Sequence, residues 1–347
     1  MLELRSPTGA FERIEAYLRE RGFFAPGGEA LEAELYLGYG LSEPLRRTAM
    51  PAPPEPCPLP LAAVRVREEK RLVSQQHKVP EIGSWKRSWA DSDYAEAVEK
   101  VRDAIARGDV YQVNLVQHLS AELSGDPRAL GEPLRAFSPR VMTGDGWTIV
   151  SASPELFLAR RGRRVWTAPI KGTRPLGEHV EGEKDAAEHV MIVDLERNDL
   201  SRVCEPGSVR WPELMAEREL AGVTHLVSTV EGTLRADVSL AELLGAVFPG
   251  GSVTGAPKLA ALDLIAALEP VGRGASMGAL GVVRGNGDLD LALTIRTFAI
   301  AAGRIHLWVG GGIVWDSDAA EEIEESWTKA RPLLAAIGAP AEVAGRR

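Results

Sequence analysis

Lys171 stands in the segment APIKGTRPLG, where a predicted strand ends in a turn. The end of a strand is a common place for a site residue, because turns expose side chains and backbone amides. Desolvation in an apolar pocket favours the neutral amine of a lysine, which is its nucleophilic form. The segment therefore suggests covalent chemistry, although a surface lysine at a strand end has the same local pattern.

Glu155 precedes this lysine in the segment SASPELFL. If the predicted strands 148–160 and 163–170 pair as a hairpin across Arg160 to Arg163, their far ends come together, and Glu155 and Lys171 can share a pocket. A carboxyl group there could serve as a general acid. The alternative is a solvated glutamate in the turn before a strand.

Two predicted helices carry carboxylates at informative positions. Glu188 falls on the apolar stripe of the helix near 184–198, so it points inward. In the helix near 318–336, Glu322, Glu325 and Lys329 share one face. Inward carboxylates from two helices are hard oxygen ligands, which suit a magnesium ion that keeps water or substrate oxygens. For the second helix, a salt-bridged surface face is the alternative.

Three further features suit an anionic ligand. Arg296 in LALTIRTF is predicted to be buried in a strand, and a buried guanidinium requires a carboxylate, which a ligand can supply. The segment FPGGSVTGAPK offers free amide donors at a helix N-terminus. Gly310 to Gly312 in LWVGGGIV indicate a close approach to the backbone. Together they predict a small polyanion bound by cations and amides.

The elements that must position these residues define an α+β protein. Among 347 residues, strand-rich blocks mix with helices without regular alternation, which predicts large mixed β-sheets with flanking helices. The proline-rich segment 51–60 reads as a connector or edge. We expect a short N-terminal part over 1–83 that packs on the core, a catalytic domain over 84–338 and a tail over 339–347.

Composition excludes several classes of function. The net charge is -9 and basic residues are scattered, which argues against nucleic acid as a partner. No apolar run approaches the roughly 20 residues of a membrane span, and the N-terminus does not read as a signal peptide. The 2 cysteines lack the spacing of a disulfide framework or zinc site. We expect a cytoplasmic protein without a membrane partner.

Eight motifs occur in an order typical of one family over roughly residues 92–336: SASPELFL, PIKGT, AEHVMIVDLERNDL, THLVSTVEG, FPGGSVTGAPK, TIRT, GGGIVWDS and EIEESWTK. On these the chain resembles the chorismate-utilising enzymes, in particular the aminodeoxychorismate synthase component I branch. The resemblance implies that family's α+β fold, with the active site in a cleft between two subdomains. It also implies magnesium-dependent conversion of chorismate and ammonia to 4-amino-4-deoxychorismate, for 4-aminobenzoate and folate synthesis, with a separate glutamine amidotransferase subunit (component II) supplying ammonia.

Lys171 distinguishes two branches of that family. Anthranilate synthase component I has PIA before GT, whereas PIKGT is associated with aminodeoxychorismate synthase. Ammonia that adds at C2 of chorismate gives the 2-amino product, whereas an enzyme amine at C2 forces ammonia to enter at C4. The resemblance thus implies that Lys171 attacks C2 while the 4-hydroxyl departs, with Glu155 as general acid or base and His225 near the reacting ring.

The resemblance also assigns binding roles. Glu188 and Glu325 would hold magnesium, with Glu322 direct or through water. The groups expected to bind substrate are Thr173, Arg296, the amide of Gly312, Lys329 and Gln112. Relatives that add water to chorismate carry a lysine base at the position of Gln112, and since glutamine cannot deprotonate water, isochorismate formation is disfavoured.

Two departures from the family pattern leave alternatives open. Ser276 and Val282 stand where family members usually have tyrosines, and the part before Ser84 is short. One alternative is an anthranilate synthase component I. The other is a catalytically silent subunit that binds chorismate or regulates a partner.

Overall fold

The computed structural model describes residues 1–67, 80–175, 183–220 and 223–339. Its strands are β1 (Leu2–Leu4), β2 (Glu32–Leu37), β3 (Ala62–Val66), β4 (Glu81–Ile82), β5 (Lys86–Arg87), β6 (Gln112–Ser124), β7 (Arg140–Gly144), β8 (Trp147–Ser151), β9 (Leu156–Arg161), β10 (Arg164–Ala168), β11 (Ile170–Pro175), β12 (Arg210–Leu220), β13 (Val223–Thr233), β14 (Gly255–Ala256), β15 (Ala279–Arg284), β16 (Leu289–Leu293), β17 (Thr297–Ala301) and β18 (Arg304–Ile313). Its α-helices are α1 (Ala10–Arg19), α2 (Asp91–Ala106), α3 (Glu183–Ser201), α4 (Leu240–Val247), α5 (Lys258–Leu268) and α6 (Ala319–Ala336).

The strands form two large sheets. One has 10 strands in the order β1-β3-β2-β15-β16-β9-β10-β13-β11, with β12 also on β13. The other has 8 strands in the order β14-β6-β18-β17-β8-β7, with β4 and β5 on β6. The predicted α+β class is confirmed, with one difference. Mixed sheets were predicted, yet all described strand pairs are antiparallel, because hairpins such as β15–β16 and β17–β18 need no crossover.

Helices cover the second sheet and the junction between the two. Helix α6 packs along β18 and against α2, and α5 packs on β6. Helix α2 buries an apolar stripe at helical spacing, since Tyr94, Val98 and Val101 are fully buried. Helix α3 packs on β11 and β13 of the first sheet and also contacts β14 of the second. Functional side chains on α3 and α6 therefore point toward the strands.

The hairpin predicted across Arg160 to Arg163 is confirmed. Arg161 pairs with Arg164 at its turn, and Leu156 pairs with Ala168 at its open end. The chain then enters β11, which pairs with β13 through a bulge between Lys171 and Thr173. Gly172 in that bulge has φ 64, a left-handed conformation that suits glycine. This geometry brings Glu155 and Lys171 to the same end of the first sheet.

The N-terminal part contributes strands to both sheets. Strand β2 pairs with β15 along its length, for example Leu35 with Gly281, and β4 pairs with β6. Within the described ranges, no helix has the length and apolarity that a membrane crossing requires.

Candidate active site

Glu155 is a buried carboxyl group at the open end of the β9–β10 hairpin. Only 5% of it is exposed, and Ser252 Oγ donates a hydrogen bond of 2.7 Å to its Oε1. Burial raises the pKa of Glu155, while the Ser252 hydroxyl, the charge of Lys171, the Ile170 amide and the charge of Arg296 act in the opposite direction. The alternative of a solvated glutamate is therefore wrong, because the hairpin and the 252 turn enclose the side chain.

The amine of Lys171 lies in the same pocket. Its side chain is 14% exposed, and Nζ is 3.9 Å from Oε2 of Glu188, whose side chain is 15% exposed. The inward orientation predicted for Glu188 is thus confirmed. A surface position for Lys171 is excluded, because the bulge in β11 turns its side chain toward α3.

Gly312 makes room for two side chains beside strand β18. A Cβ atom on Gly312 would lie 1.9 Å from Nε2 of Gln112 and 3.5 Å from Nζ of Lys171. The missing side chain therefore lets the amide of Gln112 and the amine of Lys171 approach the backbone, as the glycine run predicted. Gln112 is 1% exposed, and its Oε1 has no hydrogen-bond partner in the described part of the chain. Buried acceptors normally have partners, so this oxygen is available to a ligand.

Arg296 and His225 form the next wall of the pocket. The predicted strand position of Arg296 is wrong, because the residue lies half-buried in a bend between β16 and β17 with φ 49, a left-handed conformation that interrupts a strand. Burial lowers its pKa, and the charge of Glu155 opposes that change. His225 is fully buried, and burial together with the charge of Arg296 lowers its pKa, so the imidazole is neutral. Its backbone pairs with Thr173, whose side chain lies outside the described residues.

The acids of α6 face the glycines of β18. Glu322 is 3% exposed and accepts a hydrogen bond of 2.6 Å from Ser317 Oγ. Glu325 lies 2.6 Å from Nζ of Lys329, which also donates 2.8 Å to the carbonyl of Gly310. A Cβ atom on Gly311 would lie 3.1 Å from Glu322 and 3.4 Å from Glu325. The shared helix face is confirmed. A purely surface face is wrong for Glu322, because the helix packs this residue against β18, but a salt-bridged surface face is correct for Glu325 and Lys329, whose side chains are 53% and 37% exposed.

The carboxylates of α3 and α6 are the candidate ligands for magnesium. Among described residues, no three His, Cys, Asp or Glu side chains are grouped so as to hold a metal ion. Glu188 and Glu325 each lie near a lysine, Lys171 and Lys329, so ammonium groups offset their charges. Magnesium takes only one or two protein carboxylates and completes its shell with water and substrate oxygens. Glu188 and Glu325 fit that chemistry.

Sequence reasoning missed three polar residues of this region. Ser252 belongs to FPGGSV, which was noted only for its amides, yet its hydroxyl holds Glu155. His189 is fully buried, and burial with the charge of Lys171 lowers its pKa to about 4. Glu196 lies on the buried side of α3, as Glu188 does. A signal for Glu196 existed, because two helical turns separate it from Glu188 and place both on one face.

The chain belongs to the chorismate binding enzyme family, whose model matches residues 53–335. It is 43% identical over 289 residues to anthranilate synthase component 1 of Thermus thermophilus, an alignment that covers 78% of this chain and 63% of the relative. It is 38% identical over 281 residues to aminodeoxychorismate synthase component 1 of Bacillus subtilis, covering 77% of this chain and 60% of that relative. The chain thus spans about three fifths of the length of these curated relatives.

Solved structures agree on the fold. Anthranilate synthase component I from Streptococcus pneumoniae superposes with a TM-score of 0.75 at 28% identity, covering 87% of this chain and 80% of that one. The menaquinone-specific isochorismate synthase of Escherichia coli gives a TM-score of 0.74 at 17% identity, covering 97% and 84%. The second likeness concerns the fold alone.

Proposed function

We propose that this protein converts chorismate and ammonia to 4-amino-4-deoxychorismate, with Lys171 as a covalent catalyst. The observation that carries the proposal is the amine of Lys171 in one pocket with the buried acid Glu155. A nucleophile beside a proton donor is what displacement of a ring hydroxyl needs. The lysine in PIKGT also favours amination at C4 over C2.

The proposed chemistry proceeds in two displacements. The nitrogen lone pair of Lys171 bonds to C2, the ring double bond shifts, and the C4–oxygen bond breaks. Glu155, whose pKa burial raises, gives its proton to the departing hydroxyl, which leaves as water. Ammonia then bonds to C4, the double bond shifts back, and the lysine leaves C2 as an amine. The Glu155 carboxylate accepts the proton that the new amine releases.

Substrate carboxylates would be held by Arg296, Lys329, the amide of Gly312 and Thr173, with neutral His225 beside the ring. Glu188 and Glu325 would hold magnesium, with Glu322 direct or through water. When bound, the ion supplies positive charge against a substrate carboxylate. Gln112 offers an amide but no base, so addition of water is disfavoured while ammonia, already a nucleophile, can react.

The names of the two relatives support a partner subunit. Both are called component 1, which suggests that a second component acts with them. For this chain we infer a glutamine amidotransferase subunit that supplies ammonia, in the cytoplasm, for the synthesis of 4-aminobenzoate and folate. Free ammonia should replace that subunit in vitro.

A second candidate is anthranilate synthesis. It is favoured by the 43% identity to anthranilate synthase component 1 of Thermus thermophilus. Lys171 argues against it, because an enzyme amine at C2 blocks the carbon that anthranilate synthesis must aminate.

The test is product identification. The purified protein is incubated with chorismate, magnesium and ammonium, and the products are separated and identified by mass and ultraviolet absorbance. We expect 4-amino-4-deoxychorismate. Anthranilate as the main product would contradict the regiochemistry, and unchanged chorismate would favour a silent subunit.

A further inference from the structure

The buried face of α3 carries two acids beyond Glu188, namely Glu196 and Asp199. Both are buried, with 7% and 5% exposed. Asp199 accepts a hydrogen bond from Nζ of Lys258 on α5, so its charge is matched. Glu196 has no role in the chemistry proposed above, and within the described ranges no ion pair is formed by its carboxyl group. A buried acid of this kind is uncommon enough to need an explanation.

Glu196 and Glu155 lie on two sides of the same turn. A Cβ atom on Gly251 would lie 3.6 Å from Cγ of Glu196, so the helix side chain packs directly against the turn. The next residue, Ser252, donates its hydroxyl to Oε1 of Glu155 at 2.7 Å. From the strand side, the hydroxyl of Thr167 on β10 lowers the pKa of Glu196. The hairpin that ends at Glu155 therefore also contacts Glu196.

Among the described residues around Glu196, the nearby charges do not balance a negative charge on its carboxyl group. The groups that act on it are Glu155 before β9, Asp199 on its own helix and Lys258 on α5; β10 contributes only the Thr167 hydroxyl. Lys258 is already bonded to Asp199 and to the carbonyl of Val247. Among described residues, Oε2 of Glu196 is buried without a hydrogen-bond partner. Burial, together with Glu155 and Asp199, raises the pKa of Glu196 to about 8.

We propose that Glu196 is a positioning residue that acts through Glu155, as an uncharged acid that allows Glu155 to change its charge during each turnover. When Glu155 has given up its proton, a neutral Glu196 leaves the new carboxylate without a like-charged neighbour. If Glu196 ionises, two carboxylates flank one turn, and the charged form of Glu155 becomes unfavourable. The inference rests on the role proposed for Glu155, but not on which carbon receives the amine.

The matched variant is Glu196→Gln, which keeps the size and polarity of the side chain but cannot ionise. Asp194→Asn is the control, because it removes an exposed carboxylate, paired with Arg197, from the same helix. Chorismate consumption is measured from pH 6 to pH 10 for the three proteins, with free ammonia held constant. Consumption is followed instead of a particular product, so a wrong regiochemistry does not affect the comparison.

We expect the wild-type protein and Asp194→Asn to lose activity above the Glu196 midpoint, by about tenfold per pH unit. Glu196→Gln should keep its activity over that range, so that at alkaline pH it exceeds the wild type in kcat while the two proteins have the same KM. Superposable profiles for the wild type and Glu196→Gln would overturn the proposal.

An infrared measurement covers the case of an inactive or silent protein. At neutral pH the wild-type spectrum should contain the carbonyl band of a protonated carboxylic acid that titrates with a midpoint near that of Glu196. The band should be weaker in Glu196→Gln and unchanged in Asp194→Asn. An equal band in the wild type and Glu196→Gln would show that Glu196 is ionised and would refute the inference.

Discussion

Two buried groups of charges in this protein are built in opposite ways. Arg273 and Glu269 are joined by two hydrogen bonds, from Nε at 2.8 Å and from Nη2 at 2.6 Å. The remaining donors of Arg273 bind the carbonyls of Val253 at 2.8 Å and Asn114 at 2.7 Å. The guanidinium also lies 4.6 Å from the ring centre of Tyr39. This group is a structural crosslink between β6, the 251–253 turn and the N-terminal part.

The pocket around Lys171 shares the burial but not the close pairing. Its amine is 3.9 Å from Glu188, beyond hydrogen-bonding distance, and Glu155 is held by a serine hydroxyl instead of a cation. Gln112 keeps an acceptor without a partner among described residues. The contrast teaches that a closely paired guanidinium and carboxylate hold the fold, whereas the amine of Lys171, the acid of Glu155 and the amide of Gln112 are placed where they can act on one ligand.

The largest expected effect is on catalysis. Lys171→Ala should reduce formation of 4-amino-4-deoxychorismate by about a thousandfold or more, because the nucleophile is lost. Its Tm should change little, since no close ion pair is broken. Product analysis and a thermal melt are compared with Lys100→Ala, which alters an exposed lysine on α2. If Lys171→Ala formed the same product at the wild-type rate, the pocket around Lys171 would not differ in function from the structural Arg273–Glu269 pair.

Arg273→Met should mainly reduce stability, in contrast to Lys171→Ala, which should mainly reduce activity. Leaving Glu269 buried without its cation should lower the free energy of unfolding by about 3–5 kcal/mol. The double variant Arg273→Met with Glu269→Met should regain much of this loss, because no charge stays buried alone. Urea unfolding at neutral pH measures both. A loss of less than about 1 kcal/mol for the single variant would contradict a structural role for the pair.

A buried histidine pair in the second sheet should make the stability of the protein depend on pH. His118 Nε2 and His306 Nδ1 are 3.0 Å apart in the second sheet, and Ser88 Oγ lies 2.5 Å from Nδ1 of His118. Burial, with neighbouring positive charge, lowers the pKa of His118 to about 3 and that of His306 to about 4. The unfolded chain binds these protons near 6.5, so the contribution to stability is complete above that pH and is lost as the pH falls toward 4.

The free energy of unfolding should fall with decreasing pH by up to about 1.4 kcal/mol per pH unit for each imidazole. Urea unfolding at pH 7, 6 and 5 measures it, and His118→Gln should make the dependence shallower. An equal slope in this variant would place the acid sensitivity elsewhere.

The smallest expected effect concerns Ser252. Ser252→Ala removes one hydrogen bond to Glu155, and a single bond of this kind is worth about 1–1.5 kcal/mol, so the rate should fall roughly tenfold or less. The hydrogen bond also lowers the pKa of Glu155, so in the variant this acid should keep its proton to a higher pH and the alkaline loss of activity should begin later. Ser201→Ala, in which an exposed serine changes, is the control. An unchanged profile would leave Glu155 positioned by burial alone.

The sequence by itself determined the local elements and the order of the motifs. The hairpin across Arg160 to Arg163 and the shared face of Glu322, Glu325 and Lys329 are confirmed, because each depends on neighbours a few residues apart. The family also followed from the sequence, since its motifs are short and their order can be read directly.

Only the tertiary structure decided which polar groups are paired and which are left to a ligand. Ser252 and Glu155 are 97 positions apart, and Asn114 and Arg273 are 159 apart, so no local pattern reveals either bond. The antiparallel sheets and the buried position of Glu196 against the 251 turn are decided in the same way. The physical reason is that burial and hydrogen bonding set the charge of an acid or an amine, and both depend on contacts between distant segments.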